Sequence, residues 1–325
     1  MKSFCKKTMI LVMLAVSLIL SACGKNEAKV SKTDNADLDH FIVQFLNSHD
    51  NPLKDSYRTY SYSVDSFQNG DAEKRAIIHI DEESAKTHLT MQVTMIWRSG
   101  DDKAAISAKT DDYYPLQGPD ASVVKEFSAM YPGANVSMDI STWNYKEKSF
   151  SCPVEIRREY KAYIETIVER YELSWSVSSE QWGYLSKERV SHQYDFSPID
   201  GKWNAVFSHS TAILTKDDIP FSITFSHAGV IKEENDVYTT ASVDVQHELN
   251  QIWQKYLNPE LAETYGYRDS VFDSGKMEIV HDPYKGFVIQ FFEVNGDYKN
   301  PQVIYLGQEK LTFDGWTCRD CVLSK

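Results

Sequence analysis

The chain has 325 residues, 42% of them hydrophobic and 13% aromatic, and its 34 Lys and Arg against 47 Asp and Glu give a formal charge of -13. That much apolar material can fill packed cores, and the length exceeds one typical small domain. A surface this acidic repels nucleic acid and anionic lipid headgroups, which argues against both as partners. The 14 glycines leave little of the tight backbone that nucleotide sites require.

Lys2, Lys6 and Lys7 precede an uncharged run from Thr8 to Leu20, which ends in small residues. That charged, apolar, small-residue order is that of a secretory signal peptide. The run falls short of the roughly 18 to 20 residues of a permanent span, and no later segment comes close. Leu20-Ser21-Ala22-Cys23-Gly24 resembles the lipobox of bacterial lipoproteins. The resemblance implies cleavage before Cys23, acylation of its sulfur (palmitate or a similar chain) and a protein held by lipid at the outer face of a bacterial membrane. Gly24 in place of Asp would permit sorting to an outer membrane where the host has one. Each buried methylene contributes about 0.8 kcal/mol, so several acyl chains hold where one is marginal. Removing residues 1–22 takes away three lysines and no acids, so the mature charge falls to -16. Residues 23–36 are polar, lack an apolar period and read as a flexible tether.

Leu38, Phe41, Ile42, Phe45 and Leu46 mark one face of a short helix that Asp37 is placed to cap. Alternating segments follow at Tyr60 to Val64, Ala76 to Ile80 and Leu89 to Trp97, and Ser99-Gly100-Asp101-Asp102 turns the chain into a strand from Lys103 to Lys109. Period-two alternation with one polar face predicts antiparallel strands. Ala121 to Ser141 reads as a helix through Val123, Val124 and Phe127, then a strand. A second amphipathic helix is predicted from Glu155 to Tyr171, on the stripe Tyr160, Tyr163, Ile164, Ile167 and Tyr171. Strands follow at Val190 to Phe196, Trp203 to His209 and Phe221 to Phe225. A third helix is predicted from Val245 to Leu257, stopped by Asn258-Pro259, which starts a short helix ending at Gly266. The closing strands are Val271 to Phe272, Met277 to His281, Phe287 to Val294 and Gln302 to Leu306. The doubly apolar run Phe287 to Phe292 belongs near the centre of a sheet.

One helix followed by several antiparallel strands thus recurs at a period near 100 residues. The expected class is α+β, with units at 37–150, 151–235 and 236–325, the last two able to share one sheet. This element order resembles the cystatin-like and nuclear-transport-factor-like extracytoplasmic modules, a likeness of pattern that implies no function.

The common catalytic constellations are missing from the sequence. It has no Gly-x-Ser-x-Gly, and His247-Glu248 lacks a second zinc histidine because residue 251 is Gln. Once Cys5 leaves with the signal peptide and Cys23 carries lipid, Cys152, Cys318 and Cys321 remain in an oxidising compartment. A structural disulfide is expected, either Cys318 with Cys321 or Cys152 with one of them. His192, His209 and His227 share the apolar parity of their strands. Hairpins turning near residues 199 and 217 would bring them within about 7 to 8 Å. Histidines at the wet end of a sheet, each bonded locally, are the simpler account, because a metal also needs supporting carboxylates. The reading is a non-enzymatic, lipid-anchored module of the envelope that binds a protein or small ligand and carries no cofactor. The alternative is an enzyme using Cys318 and Cys321 as thiols or a metal at the three histidines.

Overall fold

The computed structural model describes residues 35–207, 214–216, 218–266, 269–315 and 318–325. The chain forms two compact units. The first holds the described residues through Gly118, with Trp143–Ser149 and Ser174–Gly183; the second holds Pro119–Thr142, Phe150–Leu173 and Tyr184–Lys325. Among the described residues no helix is long and apolar enough to cross a membrane.

The first unit is a helix on a sheet. Helix α1 (Ala36–Leu46) starts one residue after Asn35, whose side chain accepts from the amides of Asp37 and Leu38. Asn35 is therefore the cap, and Asp37 lies in the first turn, where a negative charge favours the helix dipole. Strands β1 (Arg58–Asn69), β2 (Lys74–Ser84), β3 (Thr87–Trp97) and β4 (Ala105–Pro115) form an antiparallel meander in that order. The buried face of α1, Leu38 to Leu46, packs on Ala76, Ile78 and Ile80 of β2 and on Leu89 to Trp97 of β3. Beneath them Glu82, with no solvent exposure, is paired with Arg58 at 2.9 Å and accepts from Asn51 at 2.8 Å. The Arg58 guanidinium also donates to the carbonyls of Leu46 and Leu53. It thereby satisfies a carbonyl left over at the end of α1.

The second unit begins with α2 (Ala121–Met130) and β5 (Asn135–Met138). Strands β6 (Ser149–Glu159), β7 (Ile164–Ser176) and β8 (Gln181–Asp195) follow, the tip of the β7–β8 hairpin belonging to the first unit. A 3-10 turn at Ser197–Ile199 leads to β9 (Gly201–Phe207) and β10 (Ile219–Ser226). Then come β11 (Val230–Glu234), β12 (Val237–Tyr238) and β13 (Ala241–His247), and the short helices α3 (Leu249–Tyr256) and α4 (Pro259–Tyr265). The chain closes with β14 (Val271–Phe272), β15 (Gly275–Asp282), β16 (Gly286–Asn295), β17 (Tyr298–Leu306), β18 (Leu311–Gly315) and β19 (Cys318–Leu323).

Two antiparallel sheets result. One has the order β12-β11-β8-β7-β6-β5; the other runs β19-β18-β17-β16-β15-β13-β10-β9, with β14 paired to β16. The second sheet is a nearly closed barrel. Its seam is bridged where the Asn204 amide donates to Ser324 O at 2.7 Å and the Ser324 amide donates back to Asn204 O at 2.9 Å. Phenylalanines from four strands fill it: the rings of Phe207 and Phe221 stack at 4.4 Å, and Phe313 meets Phe221 at 5.7 Å and Phe291 at 5.8 Å. Helix α3 adds Leu249, Ile252 and Trp253 to this core.

The expected α+β class of repeated helix-on-sheet units is overturned, since the chain is 57% strand and 13% helix. The first unit lays α1 on its sheet in that way, and in the second α2 buries Phe127 against Tyr171 of β7 at 4.2 Å, but most of the second unit is strand. The segment read as a helix from Glu155 to Tyr171 is the β6–β7 hairpin, with the Tyr160 amide donating to Tyr163 O at 2.9 Å in the turn. Its stripe is matched by a better period of two. Phe150, Cys152, Val154 and Ile156 are buried on one strand, and Ile167, Glu169, Tyr171, Leu173 and Trp175 on the next. The third helix begins only at Leu249, because Ala241, Val243 and Val245 alternate inward as β13.

Candidate functional site

The chain passes three times between the two sheets of the second unit, from β8 into β9, from β10 into β11 and from β12 into β13. The candidate site lies there. Asn235 and Asp236 both have positive φ, 51° and 62°. That is the backbone of a tight two-residue hairpin turn, and it folds β12 onto β11. β11 in turn pairs with β8, so that Glu233 lies directly opposite His192.

His192 is clamped between two carboxylates. Its Nε2 is 3.0 Å from Glu165 Oε1, and its Nδ1 is 2.6 Å from Glu233 Oε2, an ion-pair approach off the line of a hydrogen bond. The side chains of His192 and Glu233 are 7% and 6% exposed. Arg158 on β6 donates to Glu165 at 3.0 Å, Arg189 reaches Glu233 at 3.4 Å, and the Tyr194 hydroxyl donates to Glu233 at 3.2 Å. The hydrogen bond from His192, aided by Arg158, holds the Glu165 carboxyl below the usual carboxylate range in spite of burial. Burial pushes the Tyr194 hydroxyl up, with Tyr238 and Glu233 adding to the shift.

A depressed carboxyl contributes stability that is complete above the ordinary carboxylate pKa of about 4.3 and is lost as the pH falls through the folded-state value. Amide exchange over β7, β8 and β11 is therefore expected to accelerate as the pH is lowered below about 4.3, after correction for the intrinsic exchange rate. Glu165→Gln should flatten that dependence relative to the parent. Identical profiles for the two proteins would show that the clamp contributes nothing.

Beside the clamp is a cavity of about 500 Å³. Three turns make its rim: β6–β7, β15–β16 at Lys285 and Gly286, and β17–β18 at Gly307 and Gln308. The Lys161 amide donates to Gln308 O at 2.6 Å and ties the first turn to the third. Aromatic rings line the cavity: Phe287 meets Tyr163 at 5.3 Å, Tyr194 at 4.6 Å and His281 at 5.2 Å, and Tyr160 packs on Tyr163 at 5.0 Å. Behind them the rings of Tyr238 and His281 stack at 3.8 Å.

A second polar cluster in this unit is closed on itself. Tyr131 and Tyr171 donate to Glu169, and Lys187 lies 3.0 Å from it. Burial alone would raise the Glu169 carboxyl, but the bonds from Tyr131, Lys187 and Tyr171 together hold it low.

The three histidines picked from the sequence are not brought together as expected. β8 pairs with β11 and not with β9, so the hairpin that would set His192 opposite Phe207 does not exist. His227 sits in the turn after β10 with φ 57°, its side chain 84% exposed and bonded to Asp244 at 3.0 Å. His209 lies outside the described residues, as does Cys23. Among the described residues no three His, Cys, Asp or Glu groups are placed to hold a metal. Cys321 is in a disulfide, and the side chain of Cys318 lies outside the described residues. Cys152 is a free, buried thiol whose pKa is pushed up to about 12 by burial and then by Asp139. A thiol so protonated is a poor nucleophile.

Sequence reasoning passed over Arg158, Glu165, Glu233, Tyr163, His281 and Phe287 as site residues. Comparison of the chain with family models, curated proteins and solved structures finds no match.

Proposed function

We propose that this is a lipid-anchored extracytoplasmic binding module, tethered through Cys23 and receiving a small ligand in the aromatic cavity of its second unit. The observation that carries the binding role is the cavity at Phe287, ringed by aromatic side chains and backed by polar groups already fixed to one another. The exposed lining is more polar than apolar, so a ligand here would bring hydrogen-bonding groups as well as an apolar face to the rings. The inert Cys152 and the bridged Cys321 favour binding over thiol chemistry. The signal-peptide order and Leu20 to Cys23 carry the anchor.

Cys23→Ala is expected to abolish labelling by a fatty-acid probe in a bacterial host and to release the chain from the membrane fraction. Unchanged labelling would remove the anchor from this reading. For the cavity, the small-molecule fraction of the host envelope should raise the melting temperature of the chain from residue 24 onward and shift resonances of the three rim turns. If it shifts no resonance there, the binding role is wrong.

A further inference from the structure

We infer that the ligand of this cavity is a neutral saccharide, bound with one ring face against the aromatic wall and its hydroxyls against the rim. The inference rests on the binding role proposed above and adds the chemistry of the ligand.

Charge compensation carries the first step. Arg158 is paired with Glu165, Glu165 with His192, and Glu233 with both His192 and Arg189. Lys285 at the rim is engaged by the Tyr305 hydroxyl, which pulls its pKa up, with Asp282 close by. Arg158 and Glu165 are thus compensated, while Lys285, exposed at the rim, has no carboxylate in ion-pair contact among the described residues. An anion would enter against the strongly acidic field of the whole chain, and a cation would meet Arg158 and Lys285 at the rim. An uncharged ligand avoids both penalties.

The second step is polarity. Both donors and acceptors are within reach of the cavity: the Arg158 guanidinium and the Lys285 ammonium donate, the Glu165 carboxylate accepts, and the Gln308 amide does both. Arg158 offers five N–H donors in a fixed fork and directs one of them to Glu165 at 3.0 Å. Hydroxyl groups, which both donate and accept, match such a mixed rim better than a ligand of one hydrogen-bonding sense. Hydrogen bonds to charged partners are also the stronger kind.

The third step is the wall. Phe287, Tyr163, Tyr160 and Tyr194 form a contiguous aromatic surface. Aromatic faces carry negative quadrupole charge, and the C–H groups on one face of a pyranose carry the complementary slight positive charge. A flat apolar face edged by hydroxyls is the shape of a sugar ring, and a cavity of about 500 Å³ lies within the range of small-ligand sites.

The test titrates the chain from residue 24 onward with cellobiose and N,N'-diacetylchitobiose, and separately with benzoate and choline, following backbone amides by NMR. Saturable shifts at Tyr160–Tyr163, Lys285–Phe287 and Gly307–Gln308 are expected with a disaccharide. Arg158→Leu should weaken that binding about tenfold or more, the loss of one or two charge-assisted hydrogen bonds. Should Arg158→Leu fail to fold, the exposed positions Gln308→Ala and Lys285→Ala carry the same expectation of weaker binding. Shifts at these turns with benzoate or choline but neither disaccharide would overturn the saccharide and leave the binding role standing. If no probe moves these amides, and the envelope fraction does not either, both inferences fall. Disaccharide binding unaffected by every variant would place the sugar elsewhere and overturn this one.

Discussion

Arg58→Met is expected to destabilise the first unit by about 3–5 kcal/mol, the usual cost of removing one partner from a buried ion pair. Glu82 has no exposed surface, and its pKa is already raised, with burial pushing it up and Arg58 and Asn51 opposing. Without Arg58 the carboxyl keeps a single bond from Asn51 at 2.8 Å, and the carbonyls of Leu46 and Leu53 each lose one of two donors, keeping Asn51 Nδ2 and the Ser56 amide respectively. The double replacement Arg58→Met with Glu82→Leu should recover much of the loss, because buried pairs exchanged for apolar groups of similar size are often neutral in stability. Amide exchange read over β2 and β3 in urea measures both variants. A loss below about 1 kcal/mol for the single variant would show the pair to be solvated in the manner of a surface bridge.

Gly315→Ala should destabilise the barrel by about 1–3 kcal/mol, the range for forcing atoms into a filled core. A Cβ at residue 315 would stand 1.9 Å from Gln302 Oε1 and 2.9 Å from its Cδ. Gln302 has no exposed surface, so its side chain cannot swing into solvent to make room. Gly315 also lies at the register shift between β18 and β19, where Phe313 pairs with Cys321 and Gly315 with Cys318. The effect is steric, since Gly315 is not among the residues with positive φ. Adding Gln302→Ala should relieve the clash and return part of the lost stability. Urea midpoints of the two variants, followed by near-ultraviolet circular dichroism, provide the comparison. If the double variant is no more stable than Gly315→Ala, the contact with Gln302 is not the cause.

Much of the local structure was legible in the sequence. Strands β1 to β4 and β14 to β17 lie where alternation and turn residues put them, and β16, with its doubly apolar run, is an inner strand between β15 and β17. The β6–β7 hairpin was not, for a physical reason. Its turn, Tyr160 to Tyr163, is itself aromatic and lacks the Gly, Asn or Pro that marks a break, so two apolar periods overlap without punctuation. That error concealed the site. Read as a strand, β7 puts Glu165 and Glu169 on the inward parity of Ile167, Tyr171 and Trp175, and two acids on a buried face would have asked for partners. His192 carried the right signal with the wrong neighbours. Its pairing with Glu233 depends on β11 reaching back across two intervening strands, and no pattern within β8 encodes that.

The barrel seam joins Asn204 to Ser324, which are 120 residues apart in sequence. Closing a flexible loop of that length would cost on the order of 4 kcal/mol in chain entropy, and contacts so distant ordinarily slow folding. Along the wall, however, β15 to β18 are each joined to the next by a short turn, and β9 pairs antiparallel with β10. Those local pairs still have to be joined through β13, which pairs with β10 on one side and β15 on the other, before the ends of the curled sheet meet. The excursion through β11 and β12 and the two helices α3 and α4 are the longer detours left to bring home. The rate of assembly should therefore be governed by those detours, and the same excursion that carries Glu233 to His192 sets the pace at which the wall is completed.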